Sequence, residues 1–363
     1  MTGAPKIAIY SAAVRLDDGV DLNLGDEALS DCLASGIEAA RPGAQVHRLV
    51  GVWGERVALG PRERPLGGLR VLVRELRWAD AVVLGGGTLL QDDPGLLRWQ
   101  MLIATIARAL GKPVVIAAVG AEGLQRRAHR MMARYVCRRA AVITVRDHAS
   151  GEVVRRVSGR DAEVLADPVL LTHSPLVPMR LDPIPEDWTP DGAMIAVNLT
   201  REAPEALIRV LAGRLEDVLS DGTAVVGVAM DRRSDRDTLA LRRLGEAMGW
   251  PAGYRLLPER ASWRQVCSVL SDCQVCIGMR LHFMLLATIA SAPLVAITTL
   301  PKTVAFAEEL SVSRVGLQTS GVDLQAAIGN ARPPDVKMLD AYAARAAKVV
   351  ERVLAVAQGE NQL

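Results

Sequence analysis

Positive charge is not in excess in this chain. Its 43 Lys and Arg stand against 41 Asp and Glu, a formal net charge of +2, so the strongly basic balance of a typical nucleic-acid binder is missing. No uninterrupted apolar run reaches the roughly 18–20 residues that a membrane span requires. The opening "MTGAPKIAIY" runs into a strand without an apolar signal core. Five cysteines include one Cys-x-x-Cys, Cys273 and Cys276, but no second pair completes a zinc site. That pair lies across an expected strand and not on the exposed turn a redox pair needs. These gaps lead to the expectation of a cytoplasmic protein with plain buried, reduced thiols, no metal and no nucleic-acid partner. Repeats of 20–50 residues and low-complexity tracts are also missing.

What the chain does have is length for two domains: 363 residues, half of them hydrophobic and 23% charged. Short β-branched runs recur between longer helical patterns: "KIAIYSA" (6–12), "RVLVREL" (70–76), "DAVVLGGG" (80–87), "PVVIAAVG" (113–120) and "AVITVRD" (141–147). Continuous apolar strands separated by helices predict a parallel sheet covered on both faces. The stretch 172–192 holds five prolines and no sustained period, which marks a domain boundary. The α/β rhythm then restarts with "AMIAVNL" (193–199), "GTAVVGVAM" (222–230), "YRLLPE" (254–259), "CQVCIG" (273–278) and "PLVAITT" (293–299). The reading is two Rossmann-like, doubly wound α/β domains, 1–175 and 193–334, a Pro-rich linker at 176–192, and a C-terminal helix and tail at 335–363 packing back across both. Such folds bind ligands at the carboxyl ends of their strands, so residues there are the candidates.

In "VVLGGGTLLQDD" (82–93), Gly86 and Gly87 follow a strand, and Thr88 is placed to cap a helix carrying Asp92 and Asp93. Consecutive glycines serve either a close ligand approach or tight strand–helix packing, and both readings stand. The pattern is not GxGxxG. "LNLGDEALSD" (22–31) reads as a turn entering a helix, capped by Asn23 or Asp26, after a long polar loop. Arg146 and Asp147 end a strand, where the ordinary reading is a surface ion pair. Asp167 precedes Pro168, which holds it extended.

The most informative stretch is "GMRLHFMLLA" (278–287). His282 shares a helical face with Leu285, Leu286 and Ile289, as a core histidine would. Arg280 beside it puts two potential cations at a helix N-terminus, where the dipole favours an anion; a ligand supplying the missing charge is the expectation. "TTLPKTVAF" (298–306) adds Lys302 at the next strand end.

In order, "NLGDEAL", "GGGTLLQDD", "GKPVVIAAVG", "TVRD", "ADPVL", "IAVNL", "GMRLHFMLLA" and "PK" before "TVAF" resemble the polysaccharide pyruvyl transferase family (CsaB-type) over about residues 1–310. Phe283 departs from the small residue often found after the His, and Leu300 from an acid before Pro-Lys. The resemblance implies two facing Rossmann-like domains, GT-B-like. It implies transfer of pyruvate from phosphoenolpyruvate, a co-substrate and no cofactor, to a saccharide of a cell-surface polysaccharide or its precursor, forming a ketal and releasing phosphate. Arg280, His282 and Lys302 would then be catalytic, and Arg146, Asn23, Asp26, Gly86, Gly87 and Asp92 would bind substrate. Any membrane contact, at the inner face of the cytoplasmic membrane, would be peripheral. The competing reading is a GT-B-type glycosyltransferase using a nucleotide sugar.

Overall fold

The computed structural model describes residues 3–53, 57–184 and 192–360. They form two compact units. One holds the residues up to Val20, Asp26–Met179 and the chain from Asp340 onward; the other holds Asp21–Gly25 and Arg180–Leu339.

In the first unit the elements are β1 (Lys6–Leu16), α1 (Leu24–Ala40, whose first two residues belong to the second unit), β2 (Gln45–Trp53), β3 (Glu63–Pro65), α2 (Leu69–Trp78), β4 (Ala81–Gly85), α3 (Pro94–Ala109), β5 (Val114–Val119), α4 (Arg127–Arg139), β6 (Ala140–Val145), α5 (His148–Ser158) and β7 (Glu163–Val164). The sheet is parallel throughout in the order β3-β2-β1-β4-β5-β6-β7. Its chain order reverses between β1 and β4, the point where such sheets open a ligand crevice. Strands β4 and β5 are buried at every position, which is why they read as unbroken apolar runs.

The second unit comprises β8 (Met194–Asn198), α6 (Glu205–Ser220), β9 (Ala224–Gly227), α7 (Asp237–Ala247), β10 (Tyr254–Leu256), α8 (Trp263–Ser271), β11 (Cys273–Gly278), α9 (Leu281–Ile289), β12 (Leu294–Ile297), α10 (Pro301–Glu309), β13 (Ser313–Val315) and α11 (Gly321–Gly329). Its parallel sheet runs β10-β9-β8-β11-β12-β13 and reverses between β8 and β11, repeating the first unit's winding. All five cysteines are free and buried, and Cys273 and Cys276 lie on β11 as expected.

Four expectations are corrected. "RVLVREL" is the middle of α2, not a strand: Leu72, Glu75 and Leu76 turn inward at helical spacing, and the position beside β1 is taken by β2. The long loop after the first strand is shortened, because β1 continues past an irregularity at Tyr10–Val14 to pair Leu16 with Trp53. The break between units falls at Met179, a few residues after 175, and the part of the expected 176–192 linker at 185–191 lies outside the described residues. The C-terminal helix α12 (Val336–Ala357) is no separate segment: from Asp340 it belongs to the first unit. There Arg352 pairs with Glu163 at 2.7 and 3.1 Å, Arg345 donates to the Leu165 carbonyl at 2.6 Å, and the stripe Ala343, Ala346, Val350, Val353 is buried.

Candidate active site

In the second unit the polar groups gather where the sheet reverses. Asn198 and Gly278, the last residues of β8 and β11, are register partners. The Asn198 amide locks three elements: its Oδ1 accepts from the Arg280 N–H at 3.0 Å, and its Nδ2 donates to the Val228 carbonyl at 2.8 Å and to Asp237 at 3.4 Å. Asp237, at the start of α7, is fully buried and accepts the backbone N–H groups of Met230 and Asp231, both at 3.1 Å.

Arg280 is the N-cap residue of α9. Its guanidinium meets Asp237 through Nη2 at 2.6 Å and Nε at 2.8 and 2.9 Å, with Asp231 at 3.6 Å. The counter-charge expected from a ligand is therefore supplied by the fold. Burial would weaken the Arg280 charge, but Asp237 and Asp231 hold its pKa above the ordinary value. Burial would likewise lift the Asp231 carboxyl, yet its hydrogen bond to Arg233 and the charge of Arg280 hold it below the usual range. With 28% of its side chain exposed, Arg280 keeps donor capacity for a further anion.

The N-terminal signature comes to the same place. Asn23 bridges Asp231 in antiparallel fashion, flanked by Leu24 N–H to the Met230 carbonyl (3.0 Å) and Arg232 N–H to the Leu22 carbonyl (2.9 Å). The Asn23 side chain accepts from the Gly25 N–H at 3.0 Å and so caps α1; Asp26 does not take that role. His282, in the first turn of α9, lies directly on Gly25: any Cβ there would overlap the imidazole Cγ and Nδ1. Lys302 follows Pro301 at the start of α10, after the neighbouring strand β12, and is half-buried. Phe283, the departure beside His282, is wholly buried over Gly278. The structure thus joins Asn23, Arg280 and His282 around Asp231 and Gly25. Asp231, Asp237, Asn198 and Gly25 escape sequence reasoning; the available signals were the amide ending the apolar run "IAVN" and the glycine of "NLGDEAL".

In the first unit Arg146 is buried and not half of a surface pair. It donates to Thr88 at 3.0 Å and Asp167 at 3.3 Å, lies over Gly120, and so ties together segments that follow β4, β5, β6 and β7. Thr88 serves Arg146 and caps no helix. Asp93 is the N-cap of α3, accepting from Leu96 N–H at 3.0 Å. Asp92 accepts from the Gln125 N–H at 2.7 Å and bonds His129 at 2.9 Å; the Gln125 bond leads in holding its pKa low. Gly86 and Gly87 have φ of 85° and 72°. A Cβ on Gly86 would overlap Leu29, and one on Gly87 would stand 2.5 Å from Asp26 Oδ1, so close packing explains both glycines. Among the described residues no cluster of three or more His, Cys, Asp or Glu is placed to hold a metal, and no helix is long and apolar enough to cross a membrane.

Two doubly wound units with polar residues at the sheet reversal define a Rossmann-like, GT-B-like enzyme scaffold. Solved structures share it. A putative UDP-N-acetylglucosamine 2-epimerase from Listeria monocytogenes aligns at TM-score 0.61 and 11% identity over 99% of this chain and 97% of that one. UDP-GlcNAc 2-epimerase from Methanocaldococcus jannaschii aligns at 0.59 and 10%, over 96% and 99%. Anabaena HepE, solved in complex with UDP-glucose, aligns at 0.53 and 14%, over 98% of each chain. Residues 23–301 match the polysaccharide pyruvyl transferase model, and the chain belongs to that family.

Proposed function

We propose that the protein moves pyruvate from phosphoenolpyruvate onto a saccharide of a cell-surface polysaccharide or its precursor. The observation that carries this reading is His282 seated on Gly25 at the same helix start as Arg280, whose orientation two carboxylates fix: a proton handler and a partly exposed cation at a sheet reversal. One sugar hydroxyl gives up its proton and adds to C2 of phosphoenolpyruvate while one proton is delivered to C3, so that C2 becomes tetrahedral and C3 a methyl group. The C2–O bond to phosphate breaks, and phosphate leaves with that electron pair. A second hydroxyl closes on C2 and gives up its proton, completing the ketal. His282 is the proposed carrier of protons in these steps. Arg280 binds an anionic group of the donor, and Lys302 offsets charge on the departing phosphate. Arg146, buried and tied to Asp167, acts by holding the strand ends of its own unit. Asn23, Asp26 and Asp92 are the proposed contacts to acceptor hydroxyls.

The test is phosphate release from phosphoenolpyruvate across a panel of saccharide acceptors, with the ketal methyl group followed by NMR. His282→Ala should lower turnover by roughly 10²–10⁴-fold while the protein stays folded. Full activity in the variant would remove the histidine from the chemistry. Thermal protection by a UDP- or GDP-sugar and none by phosphoenolpyruvate would transfer the reading to glycosyl transfer.

A further inference from the structure

The helix layer on one face of the first sheet carries a strong excess of positive charge. Helices α2, α3, α4 and α5 pack side by side and share one apolar core against that sheet. Together they hold twelve arginines and two acids, in a chain whose basic and acidic totals are 43 and 41. One of the two acids, Glu75, is buried and engaged by Arg74 and His47, which leaves Glu152 as the only exposed acid of the four helices.

On α4, Arg127, Arg130, Arg134 and Arg138 are exposed at steps of three and four residues, and α3 adds exposed Arg98 and Arg108. Where these arginines bond at all, they bond backbone carbonyls: Arg130 that of Leu124 at 3.4 Å, Arg138 that of Ser158 at 3.3 Å. On the same two helices Leu102 is 37% and Met131 is 62% exposed.

A solvated cation on a surface is ordinary, but a face with so large an excess of one sign repels itself unless something answers its charge. Guanidinium forks match phosphate oxygens, and exposed apolar side chains such as Leu102 and Met131 reach the acyl boundary beneath a plane of headgroups. A polynucleotide would use the arginines but leave Leu102 and Met131 without a role, so the composition favours a bilayer. We propose that the α3–α4 face docks on the anionic headgroups of a membrane, a peripheral contact made without a spanning helix. No residue of this face takes part in the site described above, so the inference stands apart from the pyruvyl reading.

The experiment is co-sedimentation of the full chain with phosphatidylcholine vesicles and with vesicles in which one lipid in three is phosphatidylglycerol, at low and high salt. The expected result is binding to the anionic vesicles alone, weakened by salt. Combining Arg98→Gln, Arg127→Gln and Arg134→Gln should weaken it by about two orders of magnitude, at roughly fivefold per arginine. Combining Leu102→Gln with Met131→Gln should weaken it further at high salt; circular dichroism checks that each variant is folded. Equal binding to both vesicles, or to neither, overturns the proposal. So does vesicle binding that ignores the Leu102 and Met131 changes and is fully competed by duplex DNA, which would mark a general polyanion face.

Discussion

The contact between His282 and Gly25 gives the smallest residue in the N-terminal signature a mechanical job. The imidazole occupies the space a Cβ would need, at the first turn of α1, so its ring plane is set by a backbone and not by a movable side chain. Gly25→Ala should therefore damage turnover more than folding. The ring must rotate or the helix start must shift, at about 1–3 kcal/mol for overpacking, while phosphoenolpyruvate-dependent phosphate release falls at least tenfold. A variant with wild-type turnover would show that the ring's seat does not matter. The same reasoning separates His282 from an ordinary core histidine: it shares a face with Leu285 and Leu286, as a core residue would, but it is only half-buried, unlike those two.

Among elements, the ends of β8, α7 and β11 are joined through one carboxylate. Asp237 has no solvent exposure and takes its partners from the backbone of 230–231, from Asn198 and from Arg280. Removing Arg280 strands that charge. Arg280→Ala should lose roughly 3 kcal/mol or more, seen as a lower urea midpoint, because a buried ion without its partner is far more expensive than the pair is favourable. Arg280→Ala with Asp237→Asn should recover part of that loss, since the amide removes the stranded charge. A single variant as stable as wild type would show that the backbone donors alone satisfy Asp237. Arg280 thus carries a structural duty that its helix-start position alone did not reveal.

For the molecule as a whole, acid response is set by carboxylates in both units. Glu63 is held low although burial opposes it, through Arg15 and the Gly60 N–H. Asp231 is held low, again against burial, by Arg233 and Arg280, and Glu163 is held low first by Arg352. Each folded pKa is depressed, so the stability these groups contribute is fully present above their unfolded values of about 3.9–4.3 and is lost as pH falls through the folded ones. Glu38, raised by burial against the pull of Arg62, works in the opposite sense. The urea midpoint should be level above about pH 5 and fall steadily below about pH 4. A midpoint that rises between pH 5 and pH 3 would mean that these pairings do not hold in solution.

The residue pattern by itself determined the class of fold, because a strand buried on both faces must be largely apolar, and nine of the ten runs read as strands are strands separated by helices, an alternation that admits few architectures. It also marked Arg280 and His282, polar residues heading an otherwise apolar helix, and it offered Asn23 as a helix cap. It misjudged α2, whose short apolar run fits a strand as readily as a helix until its neighbours are known; buried Leu72, Glu75 and Leu76 settle that question only once the sheet is assembled. Tertiary structure alone decided how the charges are answered. Asp237 lies 43 residues from Arg280, and Gly25 lies more than 250 residues from His282. Periodicity reports what faces a core, but it carries no record of which distant backbone or carboxylate arrives beside a given side chain; chain topology brings those groups together.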